Sequence, residues 1–141
     1  MSDFSLHPRL EADTYHVTDL ALCQVRLMND ARFPWVILVP RRAAIREVYE
    51  LEESEQARLW QEATMLGRGM QETLGGDKLN LATLGNLVAQ LHLHVIVRRQ
   101  GDDAWPGPVW GAGTPRPYSR EALEEINDRL LALIASIFDD D

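Results

Sequence analysis

Residues Gln90-Leu91-His92-Leu93-His94-Val95-Ile96-Val97 decide how the rest of the chain is read. From Gln90 to Val95 polar and apolar residues alternate strictly, the pattern of a half-buried β-strand. Successive side chains of a strand point to opposite faces. Gln90, His92 and His94 are therefore expected on one face and Leu91, Leu93 and Val95 on the other. Neighbours on one face lie roughly 7 Å apart along the strand. Two imidazoles at that spacing, with an amide beside them, can flank one small reacting group.

Upstream, Lys78 to Ala82 alternates over a short length and is predicted to be a strand, joined to the histidine strand through Leu84-Gly85-Asn86. Before it, Leu59, Trp60, Ala63, Leu66 and Met70 recur at helical spacing. The acids between Glu50 and Glu55 suit the start of that helix, and Gly75-Gly76-Asp77 its end. Phe33-Pro34-Trp35-Val36-Ile37-Leu38-Val39-Pro40 is a continuous apolar run bounded by prolines, which predicts a central strand. Through the turn residues Asn29-Asp30-Ala31-Arg32 it is expected to form an antiparallel hairpin with the extended segment Tyr15 to Met28. Residues 1–13 read as a lead-in. On the other side, Gln100 to Pro117 is predicted to be a loop carrying Trp105 and Trp110, and loops of this length are often functional. Ser119 is a good N-cap for a last helix whose apolar stripe runs through Leu123, Ile126, Leu130, Leu133, Ile134 and Ile137. Asp139 to Asp141 read as a solvated tail. The pattern predicts an α+β fold, a small antiparallel sheet with helices on one face.

A chain of 141 residues and 16.0 kDa has the usual size of one domain with a real core. No stretch approaches the roughly 20 apolar residues that span a bilayer, so no membrane partner is expected. Met1-Ser2-Asp3-Phe4 shows no basic region followed by an apolar run, so no secretory signal is expected. Cys23 is the single cysteine. It has no partner for an internal disulfide, reads as a small buried hydrophobe, and suits a reducing cytoplasm. A net charge of −8 and a pI near 4.9 argue against a nucleic-acid partner, which needs a basic footprint.

A neutral imidazole is a nucleophile and its protonated form an acid. Displacement at phosphorus runs in line, so His92 and His94 can serve opposite sides of one phosphoryl centre. Asn80, Thr83 and Asn86, just upstream, are local candidates to hold the phosphate. The same pair is also compatible with two half-exposed sheet residues satisfied by their neighbours. A third reading is zinc, for which His7, His16, Cys23 or an acid would have to supply a third ligand.

Gln90-Leu91-His92-Leu93-His94-Val95-Ile96 resembles the signature of the histidine triad (HIT) superfamily, His-φ-His-φ-His-φ-φ with φ apolar, except that Gln90 stands at the first position. The order of elements over about residues 14 to 100 is similar to that family's as well. The resemblance implies an antiparallel sheet of about five strands with a long central helix and a C-terminal helix. It divides a single domain, residues 1–141, into a core of about 14–100, a Trp/Pro/Gly-rich loop of 101–118 and a helix of 119–138. It implies a nucleotidyl hydrolase or transferase acting on the α-phosphate of dinucleoside polyphosphates or nucleoside phosphoramidates. His92 would be the nucleophile that forms a nucleotidyl-histidine. His94 would position the phosphate and handle the leaving-group proton. Gln90 would support the nucleophile, through its backbone carbonyl if not its side chain. The implied partners are a small-molecule nucleotide and a second copy of the chain, joined sheet to sheet; no cofactor or metal is implied. The family's ribose contact falls near Asn29, with Asp30 the alternative, and the base would lie against Leu27 and Phe33. Arg98 and Arg99 are either phosphate contacts or paired surface charges. Where the family often has a histidine after Pro-x, this chain has Trp35 and Val36. The loss of an imidazole at Gln90 keeps a second reading open, a nucleotide-binding module with weak catalysis.

Overall fold

The hydrophobic pattern resolves into five short strands, one long helix and one long C-terminal helix. The computed structural model describes residues 3–138; the expected tail at Asp139 to Asp141 lies outside them. A short helix α1 (Pro8–Asp13) precedes strands β1 (Thr14–Asp19), β2 (Cys23–Met28) and β3 (Trp35–Pro40). Helix α2 (Glu53–Leu74) follows a single 3-10 turn at Val48–Glu50. Strands β4 (Lys78–Thr83) and β5 (Leu93–Arg98) and helix α3 (Arg120–Phe138) complete the order. All neighbours in the sheet are antiparallel, in the order β1-β2-β3-β5-β4. The fold is α+β with a five-stranded antiparallel sheet, as the histidine stretch and its surroundings predict.

Strands β3 and β5 are buried along their whole length, because both faces of the sheet are covered. On one face Val25, Leu27, Val36, Leu38, Leu93 and Val95 pack under Leu59, Ala63, Leu66 and Met70 of α2 and under α3. On the other, Trp35, Ile37, Val39 and Ile96 pack with Leu10 of α1 and with Val88 and Val109 from the loops. Trp60, placed by its spacing in the apolar stripe of α2, is instead 53% exposed. The stripe also hides a charge. Glu62 is fully buried, and its carboxylate accepts the backbone N–H of Leu22 and Cys23 at 2.9 and 3.0 Å and the Arg58 Nε–H at 3.0 Å. This ties α2 to the start of β2. Cys23 is a buried free thiol, pushed far up from its ordinary pKa by burial first and by Glu62 second. Gly67 lets α2 approach the sheet: a Cβ there would meet Leu79 at 2.7 Å. Gly75 closes the helix with φ of 74°, a left-handed conformation that glycine adopts freely.

Two sequence expectations need correction. Tyr15 to Met28 is not one extended segment but a hairpin of its own, β1 with β2, turned at Leu20 whose N–H donates to the Cys23 carbonyl at 2.7 Å. Only its second half pairs with β3. Residues 8–13, read as part of a lead-in, form α1, with Pro8 in its first turn and the His7 ring accepting the Arg9 N–H at 3.0 Å. Among the described residues no helix is long and apolar enough to cross a membrane.

The Glu62 anchor yields a test. Glu62→Leu leaves two buried N–H groups without acceptors and is expected to lower stability by about 3 kcal/mol in urea unfolding. A change below about 0.5 kcal/mol would show that the anchor is dispensable.

Candidate active site

Strand β5 begins at Leu93, so Gln90 to His92 enter the sheet as irregular chain. The expected division of faces nevertheless holds for Leu91, Leu93 and Val95, which join the core beneath the helices. His92 and His94 turn the other way, their ring centroids 5.0 Å apart.

The irregular entry brings the Gln90 carbonyl oxygen to 2.6 Å from His92 Nδ1. A carbonyl only accepts, so Nδ1 carries the proton and Nε2 holds a lone pair. His94 has the opposite tautomer. The indole N–H of Trp35 donates to His94 Nδ1 at 3.0 Å. An indole only donates, so Nδ1 is bare and the ring proton sits on Nε2. The register allows this because Ile37 of β3 lies opposite His94 and Trp35 opposite Ile96, which makes Trp35 and His94 diagonal neighbours on one face. Trp110 from the long loop stacks edge-on against His94 at 4.9 Å and against Trp35 at 5.9 Å.

Both rings are about 5% exposed or less. Burial lowers the His94 pKa to about 3, with His92 adding to the effect. Burial also lowers that of His92, opposed by the Gln90 carbonyl and helped by His7. Both are neutral at pH 7, so His92 Nε2 is available as a nucleophile. The two histidines line a cavity of about 380 Å³. Leu10, Met28, Ile37, Val88 and Trp110 make its walls apolar, and Arg9, Asp13 and Asn86 supply polar groups. An adjoining hollow of about 340 Å³ shares Arg9, Asp13 and Met28 and adds Asn29, Asp30 and Trp35.

Of the polar residues singled out in the sequence, Asn86 reaches the histidine cavity. Thr83 does not: it pairs with Leu93 and borders another hollow, with Arg46 and Tyr49, that meets the cavity at Leu84 and Asn86. Asn80 accepts from Arg98 Nη1 at 3.1 Å and does not border the cavity. The Gln90 side chain faces the N-terminal segment, accepting from the His7 N–H at 2.8 Å and donating to the Ser5 carbonyl at 2.9 Å. Asn29 Oδ1 accepts the Tyr118 N–H at 2.9 Å. Asp30 is 2% exposed and bound to Arg32 at 2.8 Å. Burial works to raise its pKa, but bonds from Arg32 and Arg116 outweigh it and hold the carboxyl low.

Leu27 belongs to the helix side of the sheet and Phe33 is buried under the guanidinium groups of Arg32 and Arg98, so neither reaches the cavity. Arg98 is itself buried, forked onto Asp102 at 2.7 and 2.9 Å, while Arg99 donates to the Leu74 and Gly75 carbonyls at the end of α2. For zinc, no third ligand joins the pair: His16 bonds Asp19 at 3.0 Å, Cys23 lies in the helix-side core, and no three candidate ligands cluster among the described residues. Trp35, Arg9 and Asp13 are site residues that sequence reading misses. For Arg9 and Asp13 the available signal is Pro8, a good first residue for a helix, and for Trp35 it is the place near which the family often has a histidine.

Residues 9–101 match the family model of the HIT domain. The chain belongs to the histidine triad family. A histidine triad protein of Marinobacter aquaeolei is 54% identical, with a TM-score of 0.92, over 95% of this chain and 98% of that one. One from Sinorhizobium meliloti is 48% identical at 0.90, over 92% and 96%. One from Bradyrhizobium japonicum is 45% identical at 0.88, over 95% and 98%. No protein with a curated description matches.

The lowered His94 pKa has a consequence for this HIT protein's stability. The unfolded chain binds a proton at His94 near pH 6.5, the folded one only near pH 3. The unfolded state thus holds more protons between those values, and stability is lost as pH falls through that window. His94→Gln is expected to flatten the fall between pH 6.5 and 4.5 in urea unfolding; an unchanged slope would contradict the burial of a neutral ring.

Proposed function

We propose that the protein is a nucleotidyl hydrolase or transferase of the HIT type, with His92 as nucleophile and a nucleotide conjugate as substrate. The observation that carries this reading is the bond between His92 Nδ1 and the Gln90 carbonyl at 2.6 Å. It leaves the Nε2 lone pair free on a ring that lines the cavity, and it stabilises the positive charge that the ring gains on attack. The apolar walls suit a base, and His94 Nε2–H, Arg9 and Asn86 suit phosphate oxygens. In the first step Nε2 forms a bond to the α-phosphorus, and the bond from phosphorus to the leaving group breaks with its electron pair. In the second, water adds to phosphorus, the N–P pair returns to Nε2, and the water proton passes to solvent or the released phosphate.

The binding-only reading rested on the missing imidazole at position 90. The support that reaches His92 comes from the backbone of Gln90, which any residue there retains, while the side chain serves the N-terminal segment. That arrangement favours catalysis over binding alone.

Incubation with a labelled diadenosine polyphosphate or adenosine phosphoramidate, quenched in base, is expected to trap an acid-labile adduct on His92. His92→Ala is expected to abolish it and to lower turnover by at least about 1,000-fold. Gln90→Ala, which keeps the carbonyl, is expected to stay within about tenfold of the parent. An adduct that survives His92→Ala would overturn the proposal.

A further inference from the structure

We propose that this site cleaves conjugates whose leaving group departs as a stable anion, a phosphate or polyphosphate, and discriminates against amine leaving groups; this rests on the nucleotidyl-transfer reading above. The geometry at Trp35 carries it. His94 already bears a hydrogen on Nε2, so it becomes a cation only by taking a proton at Nδ1. That nitrogen faces the Trp35 N–H at 3.0 Å, and protonation would set two donors against each other. Trp35 is 6% exposed and is held edge-on between Phe33 at 6.4 Å and Trp110 at 5.9 Å, so the indole cannot swing aside. His94 is thereby fixed as a neutral hydrogen-bond donor. Giving up its Nε2 proton would leave an imidazolate, an anion in a buried site, so the neutral ring is a far weaker proton donor than an imidazolium.

The other titratable and charged groups around His94 do not replace it. His92 is the nucleophile, and its Nδ1 proton points at Gln90. His7 is exposed and its ring accepts the Arg9 N–H. Arg9 is tied to half-exposed Asp13 at 3.3 Å. The family role of its last histidine, handling the leaving-group proton, is therefore closed to His94 as it is held here.

The consequence follows from the bond that breaks. When His92 Nε2 bonds to phosphorus, the electron pair of the old bond leaves with the departing atom. A phosphate oxygen accepts that pair without a proton, since the group it forms loses its last proton only near pH 6. An alkylamine nitrogen does not; its conjugate acid loses a proton only near pH 10.4, and the unprotonated amide anion is far more basic still. Positioned proton donors contribute roughly 10² to 10⁴ in rate, and this site forgoes that contribution.

The test is the single-turnover rate of nucleotidyl-His92 formation from adenosine 5′-phosphate aryl esters, graded from nitrophenyl to unsubstituted phenyl. A diadenosine polyphosphate and an adenosine 5′-phosphate alkylamidate complete the set. Single-turnover rates remove any masking by product release. The parent is expected to slow by at least about 100-fold from the nitrophenyl to the phenyl ester, and to favour the anhydride over the amidate. Trp35→Phe frees His94 Nδ1; it is expected to shrink the spread among the esters and to add a limb to the pH profile of the phenyl ester. Similar parental rates across the esters, or preference for the amidate, would overturn the inference while leaving His92 as nucleophile. Absence of an adduct with every substrate would overturn both.

Discussion

Each histidine of the site commits its Nδ1 to a fixed partner outside the cavity, and that constraint governs the rest. The Gln90 carbonyl accepts a hydrogen bond from His92 Nδ1–H, and the Trp35 indole N–H donates one to His94 Nδ1. The partners are of opposite sense, so the two rings are held in opposite tautomers. One presents a lone pair and the other a hydrogen. Neither state is left to solvent, because both rings are buried and both are neutral at physiological pH.

Much of the remaining structure serves to hold those partners. The central strands β3 and β5 place Trp35 beside His94 by register alone. Trp110 reaches the rings because its loop is fastened at both ends. At one end Arg98 forks onto Asp102, whose carboxyl is held down to about 2 chiefly by that hydrogen bond. At the other, Asp30 receives the Arg116 N–H, Arg32 donates to the Ala112 carbonyl, and Asn29 receives the Tyr118 N–H. Residues that read as turn or ligand chemistry in the sequence are thus fasteners for the loop that covers the site. The N-terminal segment is fastened in the same manner by Gln90, which keeps α1, with Arg9 and Asp13, along the cavity wall.

The fold was largely legible because hydrophobic period is a local property. The apolar run before Pro40 and most of the helical stripe to Met70 survive into the structure, and of the alternation from Gln90 to Val95 the division of faces does, although the strand begins only at Leu93 and is buried throughout. The β1–β2 turn at Leu20 was not, since Leu20-Ala21-Leu22 carries none of the usual turn residues. Buried Glu62 and exposed Trp60 were invisible for a related reason: spacing reports a face, and a neighbour decides what that face can hold. In the candidate site, the shared face of His92 and His94 is legible from their spacing, and the bond between His92 Nδ1 and the Gln90 carbonyl is of the kind the family resemblance implies. Trp35 was not, because a tryptophan inside an apolar run reads as core, and only cross-strand register aims its N–H at an imidazole. Thr83 pairs with Leu93 and so lies on the helix side of the sheet, whereas Asn80, opposite Ile96, is on the histidine side but lies farther along the strand, where Arg98 takes its oxygen.

Nitrogen-15 NMR of the imidazoles at neutral pH reports which ring nitrogen carries hydrogen. His92 is expected to show a protonated Nδ1 with a bare Nε2, and His94 the reverse. Matching tautomers in the two rings, or a bare Nδ1 on His92, would contradict this arrangement.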